Sequence, residues 1–99
     1  AKMPFCLQMA NIGSEISRTI NWQKKGNHTL AQKAFYRVLE LLDLTVAGLQ
    51  SPGALKEVLR TREALVDYFM YDNVYNSSAS IWQKYFDQFA LLAIRKKER

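Results

Sequence analysis

Apolar residues recur at three- and four-residue steps along most of this chain, the period of a helix packed on one side. The clearest stretch covers residues 29–46, where Ala31, Ala34, Phe35, Val38, Leu39, Leu42 and Val46 fall on one face. Leu30, Leu41 and Leu44 widen that face beyond what one neighbour covers, which fits a central bundle position or a dimer seam. Asn27 or Thr29 can cap its start, and Gly48 lies where a helix C-terminus calls for glycine. A first helix is expected over residues 11–25, on Ile12, Ile16, Ile20 and Trp22, with Asn11 or Ser14 as cap and Gly26-Asn27 as stop. Its apolar stripe is thin and its far face polar, so it is expected at the surface. Residues 4–9 are expected to add an extension that packs on the bundle.

Ser51-Pro52 predicts the start of a third helix, a hydroxyl cap followed by proline where its missing N–H costs nothing. Leu55, Val58, Leu59, Arg62, Val66 and Phe69 trace its stripe, joined by Leu65 and Met70, to an end near Asp72-Asn73. Ser77, Ser78 and Ser80 compete to cap a fourth helix, with Trp82, Tyr85, Phe86, Phe89, Leu92 and Ala93 on one side. So aromatic a face predicts small residues opposite it. The linkers between these stretches span about three to six residues, the length that joins antiparallel neighbours. The expectation is an all-α, up-and-down antiparallel four-helix bundle, with the whole of residues 1–99 as one domain.

Composition is consistent with this. Of 99 residues, 48% are hydrophobic and 23% charged, the balance of a chain that folds. Four glycines and two prolines are too few for a turn-rich β fold. The single cysteine, Cys6, excludes a disulfide framework and a Cys-rich metal site. No apolar run reaches the 18 residues that suggest a membrane span, and the first residues lack a leader's apolar region and cleavage signature. A cytoplasmic location is therefore expected, with no membrane partner. The net charge of +5 invites anionic partners. Much of it, however, sits in Lys24, Lys25, Arg95, Lys96, Lys97 and Arg99, at helix ends where cations also answer the helix dipole.

No catalytic set can be drawn from the remaining residues. His28 is the only histidine and falls in a linker, which leaves a metal ligand or a general base without partners. No cofactor loop and no metal-ligand spacing is present. Glu63 and Asp67 lie four apart on one helix face, and Arg62 interrupts an apolar stripe. A bundle di-metal site needs histidines and carboxylates from facing helices. Arg62, Glu63 and Asp67 therefore read as a polar site, with Arg62 tied to Glu15, Glu40 or Asp43 of another helix. Tyr68, Phe69, Met70, Tyr71 and Tyr75 exceed what one packing stripe can absorb, so some of them face outward as interface material. Lys56 and Arg60 share a face upstream and could meet phosphates, while Glu57, Glu63, Asp67 and Asp72 dilute the local charge.

Between Trp22 and Asp43, about a quarter of the chain, the sequence resembles the turn and second helix of a tetratricopeptide repeat. Gly26, Ala31 and Phe35 match its small and aromatic positions. Val38 replaces an alanine, Asp43 a proline, and Arg18-Thr19 the usual Leu-Gly. No second copy follows at an offset of 34 residues, so the resemblance implies hairpin packing and no solenoid. As a whole the chain also resembles small helical-bundle proteins of bacteria and archaea, including the HEPN type. That group contains ribonucleases and partners of nucleotidyltransferases, typically dimeric. Its signature is an arginine followed, after four intervening residues, by histidine. After Arg62 that place holds Asp67, so the resemblance implies a member without the nuclease centre. The leading expectation is a non-enzymatic module for self-assembly as a homodimer or for binding another protein, with Tyr68, Tyr71, Tyr75, Lys56 and Arg60 as its surface. The alternative is a nucleic-acid-binding or nucleotidyltransferase-accessory protein.

Overall fold

The helical period is realised as four helices in the computed structural model, which describes residues 4–97. They are α1 (Phe5–Lys24), α2 (His28–Gly48), α3 (Pro52–Met70) and α4 (Ala79–Lys97), and no strand occurs among the described residues. Helices α1 and α2 are joined by residues 25–27 and α2 and α3 by residues 49–51, short links that fold each pair back on itself. The link from α3 to α4, residues 71–78, is longer than the sequence implied. The result is an up-and-down antiparallel four-helix bundle. Helix α1 packs along both α2 and α4, and α2 also lies along α3. Helices α3 and α4 meet through side chains.

Local chemistry fixes three of the four starts. The Asn27 side chain accepts from the Leu30 amide at 3.1 Å, and the Ser51 hydroxyl from the Ala54 amide at 3.4 Å ahead of Pro52. Ser78 does the same for Ile81 at 3.2 Å, which settles the contest among the three serines. Each cap satisfies an amide that the helix itself leaves open. Gly26, with φ of +74°, makes the left-handed turn that ends α1.

The first helix departs most from expectation. It starts at Phe5, six residues early, and neither Asn11 nor Ser14 caps it. Ser14 lies inside the helix with its hydroxyl bonded back to the Ala10 carbonyl. Nor is α1 a surface helix. Cys6, Met9, Ile12, Ile16, Thr19 and Ile20 are all buried, because this helix has two neighbours to cover. Thr19 tolerates burial by donating to the Glu15 carbonyl at 2.8 Å, as Thr45 does to Leu41 in α2. The core they join contains Phe35, Val38, Leu42, Val58, Leu65, Trp82, Phe86 and Phe89. Phe5 closes it at one end, edge-on to Phe89 with ring centroids 5.9 Å apart.

Two stripes shift in phase. In α3 the buried residues are Val58, Thr61 and Leu65, while Leu59 faces solvent and Val66 is half-buried. In α4 Trp82, Phe86 and Phe89 are buried as the spacing predicts, but Leu92 is exposed. Leu44 of the wide α2 face is exposed too, whereas Leu30 and Leu41 are partly covered. The expected small residue opposite the aromatic face is Gly13 of α1. A Cβ there would lie 2.6 Å from Cβ of Phe86. The Trp82 indole N–H is buried and meets no acceptor among the described residues.

Thr61 is buried because α3 meets α4 through a polar tie. Tyr85 of α4 donates its hydroxyl to Glu57 Oε1 at 2.8 Å and lies 3.3 Å from the Thr61 hydroxyl. Burial pushes the Tyr85 phenol up to about 12; the bond with Thr61 opposes this and the Glu57 carboxylate reinforces it. An unfolded phenol ionises near 10. The unfolded chain therefore loses this proton first as pH rises, and Tyr85 contributes stability that is full below pH 10 and lost between 10 and about 12. Urea midpoints taken across that window should fall more steeply in the wild type than in Tyr85→Phe. Parallel falls in the two proteins would contradict the assignment.

Candidate interaction surface

The sequence marked three groups of polar or aromatic residues, and the bundle places them apart. Arg62 reaches from α3 to α2, its Nε donating to Asp43 Oδ1 at 3.0 Å. The inter-helix tie thus forms with one of the three expected carboxylates. It is a surface tie, since the Arg62 side chain keeps 36% of its area exposed and Asp43 63%. Such pairs contribute about 0–1 kcal/mol. Glu63 is exposed beside Arg62, along a shallow depression that also touches Lys56, Leu59 and Arg60. Asp67 turns the other way. Its two oxygens accept from the Val74 amide at 3.0 Å and the Tyr75 amide at 3.1 Å. Arg62, Glu63 and Asp67 therefore share no common centre.

Nor do the residues with nucleophilic or ligating chemistry converge. Cys6 is buried in the first turn of α1, and His28 opens α2 beyond the far end of α1. A 20-residue helix separates them, a length of about 30 Å. His28 is exposed at the rim of a shallow recess floored by Phe35, Phe69 and Met70. Among the described residues no three of His, Cys, Asp and Glu come together. No helix among them is long and apolar enough to cross a membrane. Lys56 and Arg60 are exposed neighbours on α3, at the mouth of the cleft where Tyr85 binds Glu57.

The tyrosines divide. Tyr68 is half-buried, edge-on to Phe69 at 4.8 Å, and Phe69 in turn packs on Phe35 at 4.9 Å. Tyr71 and Tyr75 stand in solvent, exposed by 72% and 61%. Val74 between them is 78% exposed, and Met70 and Ile81 flank them on the adjoining helix ends. The segment that carries these side chains is closed by its own polar groups. Besides the two bonds to Asp67, the Asn73 side chain donates to the Ser77 carbonyl at 2.9 Å and accepts from the Ser77 amide at 2.8 Å. Asn73 and Asn76 adopt φ of 55° and 56°, left-handed values that asparagine accommodates better than most residues. The backbone polar groups turn inward and the large side chains outward.

Sequence reasoning marked Tyr71 and Tyr75 but missed Val74 and Ile81, and it missed a second apolar surface. That surface joins the start of α1 to the end of α4. A groove of about 460 Å³ runs between them, lined by Pro4, Cys6, Leu7, Ala10, Ala90, Ala93 and Ile94. Ile94 is exposed along it, and Leu91 is exposed on the neighbouring ridge of α4. The signal in the sequence was the run Ala90-Leu91-Leu92-Ala93-Ile94, which has more apolar positions than one helix stripe can bury. The chain matches no protein-family description, no curated protein and no solved structure.

Proposed function

We propose that this chain is a non-catalytic contact module, a small helical protein whose work is to bind protein surfaces. The observation that carries this reading is the link between α3 and α4, where Tyr71, Val74 and Tyr75 face solvent from a backbone held by Asp67, Asn73 and Ser77. Large apolar side chains exposed together mark contact surfaces. Aromatic residues there supply contact area with a polar edge. A hydrogen-bonded backbone lowers the ordering cost that binding must otherwise meet. The dispersal of Arg62, Glu63, Asp67, Cys6 and His28 supports a role without chemistry.

Replacing Tyr71 and Tyr75 by serine tests this. Both side chains are mostly exposed, so the helical spectrum and melting temperature should barely change. Partner capture from a source-cell lysate treated with nuclease should fall at least tenfold, the scale of one hot-spot residue of about 1.4 kcal/mol or more. Capture unchanged by the substitutions would refute the tyrosine surface. Capture lost on nuclease treatment alone would favour the nucleic-acid reading, for which exposed Lys56 and Arg60 are the first residues to replace.

A further inference from the structure

The outer face of α4 carries the features of a self-complementary seam. Asp87, Leu91 and Arg95 are spaced by four, so they form a single ridge on the helix surface. This ridge lies opposite the buried Trp82, Phe86 and Phe89, and all three of its residues are exposed. Beside it runs the ridge of Ala90 and Ile94, which borders the groove against Leu7 of α1. Neither Asp87 nor Arg95 has an ion-pair or hydrogen-bond partner among the described residues. The acid and the base stand at equal intervals on either side of a leucine.

Resting on the contact reading above, we infer that a second copy of this chain docks here, α4 against α4, antiparallel about a two-fold axis at Leu91. Packing of ridges spaced by four into one another is the commonest way that helices cross. Reversing one copy about Leu91 sets Asp87 beside Arg95 of the other, and two-fold symmetry makes that contact twice. Leu91 then packs against Leu91 of the second copy, beside the ridges of Ala90 and Ile94, which removes the exposed apolar ridge from water. An acidic helical partner would use Arg95 but would be repelled by Asp87. A second copy uses both charges.

Charge exchange tests this on the full chain, with mass followed against concentration by sedimentation up to about 1 mM, the weak limit of specific association. Asp87→Arg places two arginines at each contact, and Arg95→Asp places two carboxylates. Each variant alone should dimerise about tenfold more weakly than the wild type. An equimolar mixture of the two should form a heterodimer, since both of its contacts are again opposite in sign. Circular dichroism should be unchanged, both positions being exposed. A wild-type chain that stays monomeric throughout overturns the inference, and so does a dimer indifferent to the exchanges. A monomer that still captures a partner through Tyr71 and Tyr75 would overturn only the seam and leave the contact reading standing. Stronger capture by Asp87→Arg with weaker capture by Arg95→Asp would instead assign the ridge to an acidic partner.

Discussion

Met9→Ala is expected to destabilise the protein by about 3 kcal/mol, the middle of the range for emptying a fully buried Met or Leu site. Met9 has no exposed surface and lies in the second turn of α1, where the core meets α4 and the end of α2. If residues 4–9 were a loose extension on a bundle starting at residue 11, the same change would cost less than about 0.5 kcal/mol, as surface substitutions do. The two outcomes are far apart. Urea denaturation read by circular dichroism distinguishes them, with the midpoint falling sharply and the slope unchanged.

Gly13→Ala should also destabilise, against the sign that helix propensity gives. Alanine is better than glycine inside a helix by about 1 kcal/mol, and Gly13 sits in the interior of α1. The added Cβ would stand 2.6 Å from Cβ and 3.2 Å from Cγ of Phe86. Those atoms are at the root of a buried ring, so no flexible chain end can swing aside. Helices α1 and α4 must separate, and overpacking of this kind costs about 1–3 kcal/mol. Because the contact lies so close to the backbone, the upper end applies, for a net loss of about 2 kcal/mol after the propensity gain. Adding Phe86→Ala should relieve the clash, so the double variant should be more stable than the sum of the two single losses implies. Additive losses would mean that α1 and α4 approach less closely than the structure has them.

What could be read from the chain, and what could not, follows from where the information resides. Asn27, Ser51-Pro52 and Ser78 act on amides three residues away, so the starts of α2, α3 and α4 were visible within a few letters of sequence. The start of α1 was not. Pro4 precedes it with no side-chain cap, and Gly13 and Ser14 read locally as weak helix. Burial of Cys6 and Met9 by other helices overrides that local weakness, and such burial is invisible to periodicity within one segment. The phase of α3 was misplaced for a similar reason. Thr61 can be buried because Tyr85, 24 residues away, meets its hydroxyl, and that leaves Leu59 to face water. Among the candidate surface residues, excess aromatic content pointed to Tyr71 and Tyr75. It could not separate them from Tyr68, whose partial burial depends on the Phe69 ring. Asp67 looked like half of an acid pair with Glu63, yet it serves two amides seven and eight residues further on.

The position of α1 between α2 and α4 also sets an order on how the chain can acquire its structure. The α1–α2 hairpin is closed by a three-residue link, so it can form while the rest is unmade, at small loop-closure cost. The other side of α1, around Gly13, has to wait for α4, which follows α2 and α3 in sequence. During synthesis from the N-terminus, Met9, Ile12 and Ile16 have only part of their eventual cover until the aromatic face of α4 emerges. The far side of α1 is thus sealed only when α4 arrives, and a nascent chain paused before residue 79 leaves that side open to chaperones and to sticking to its neighbours.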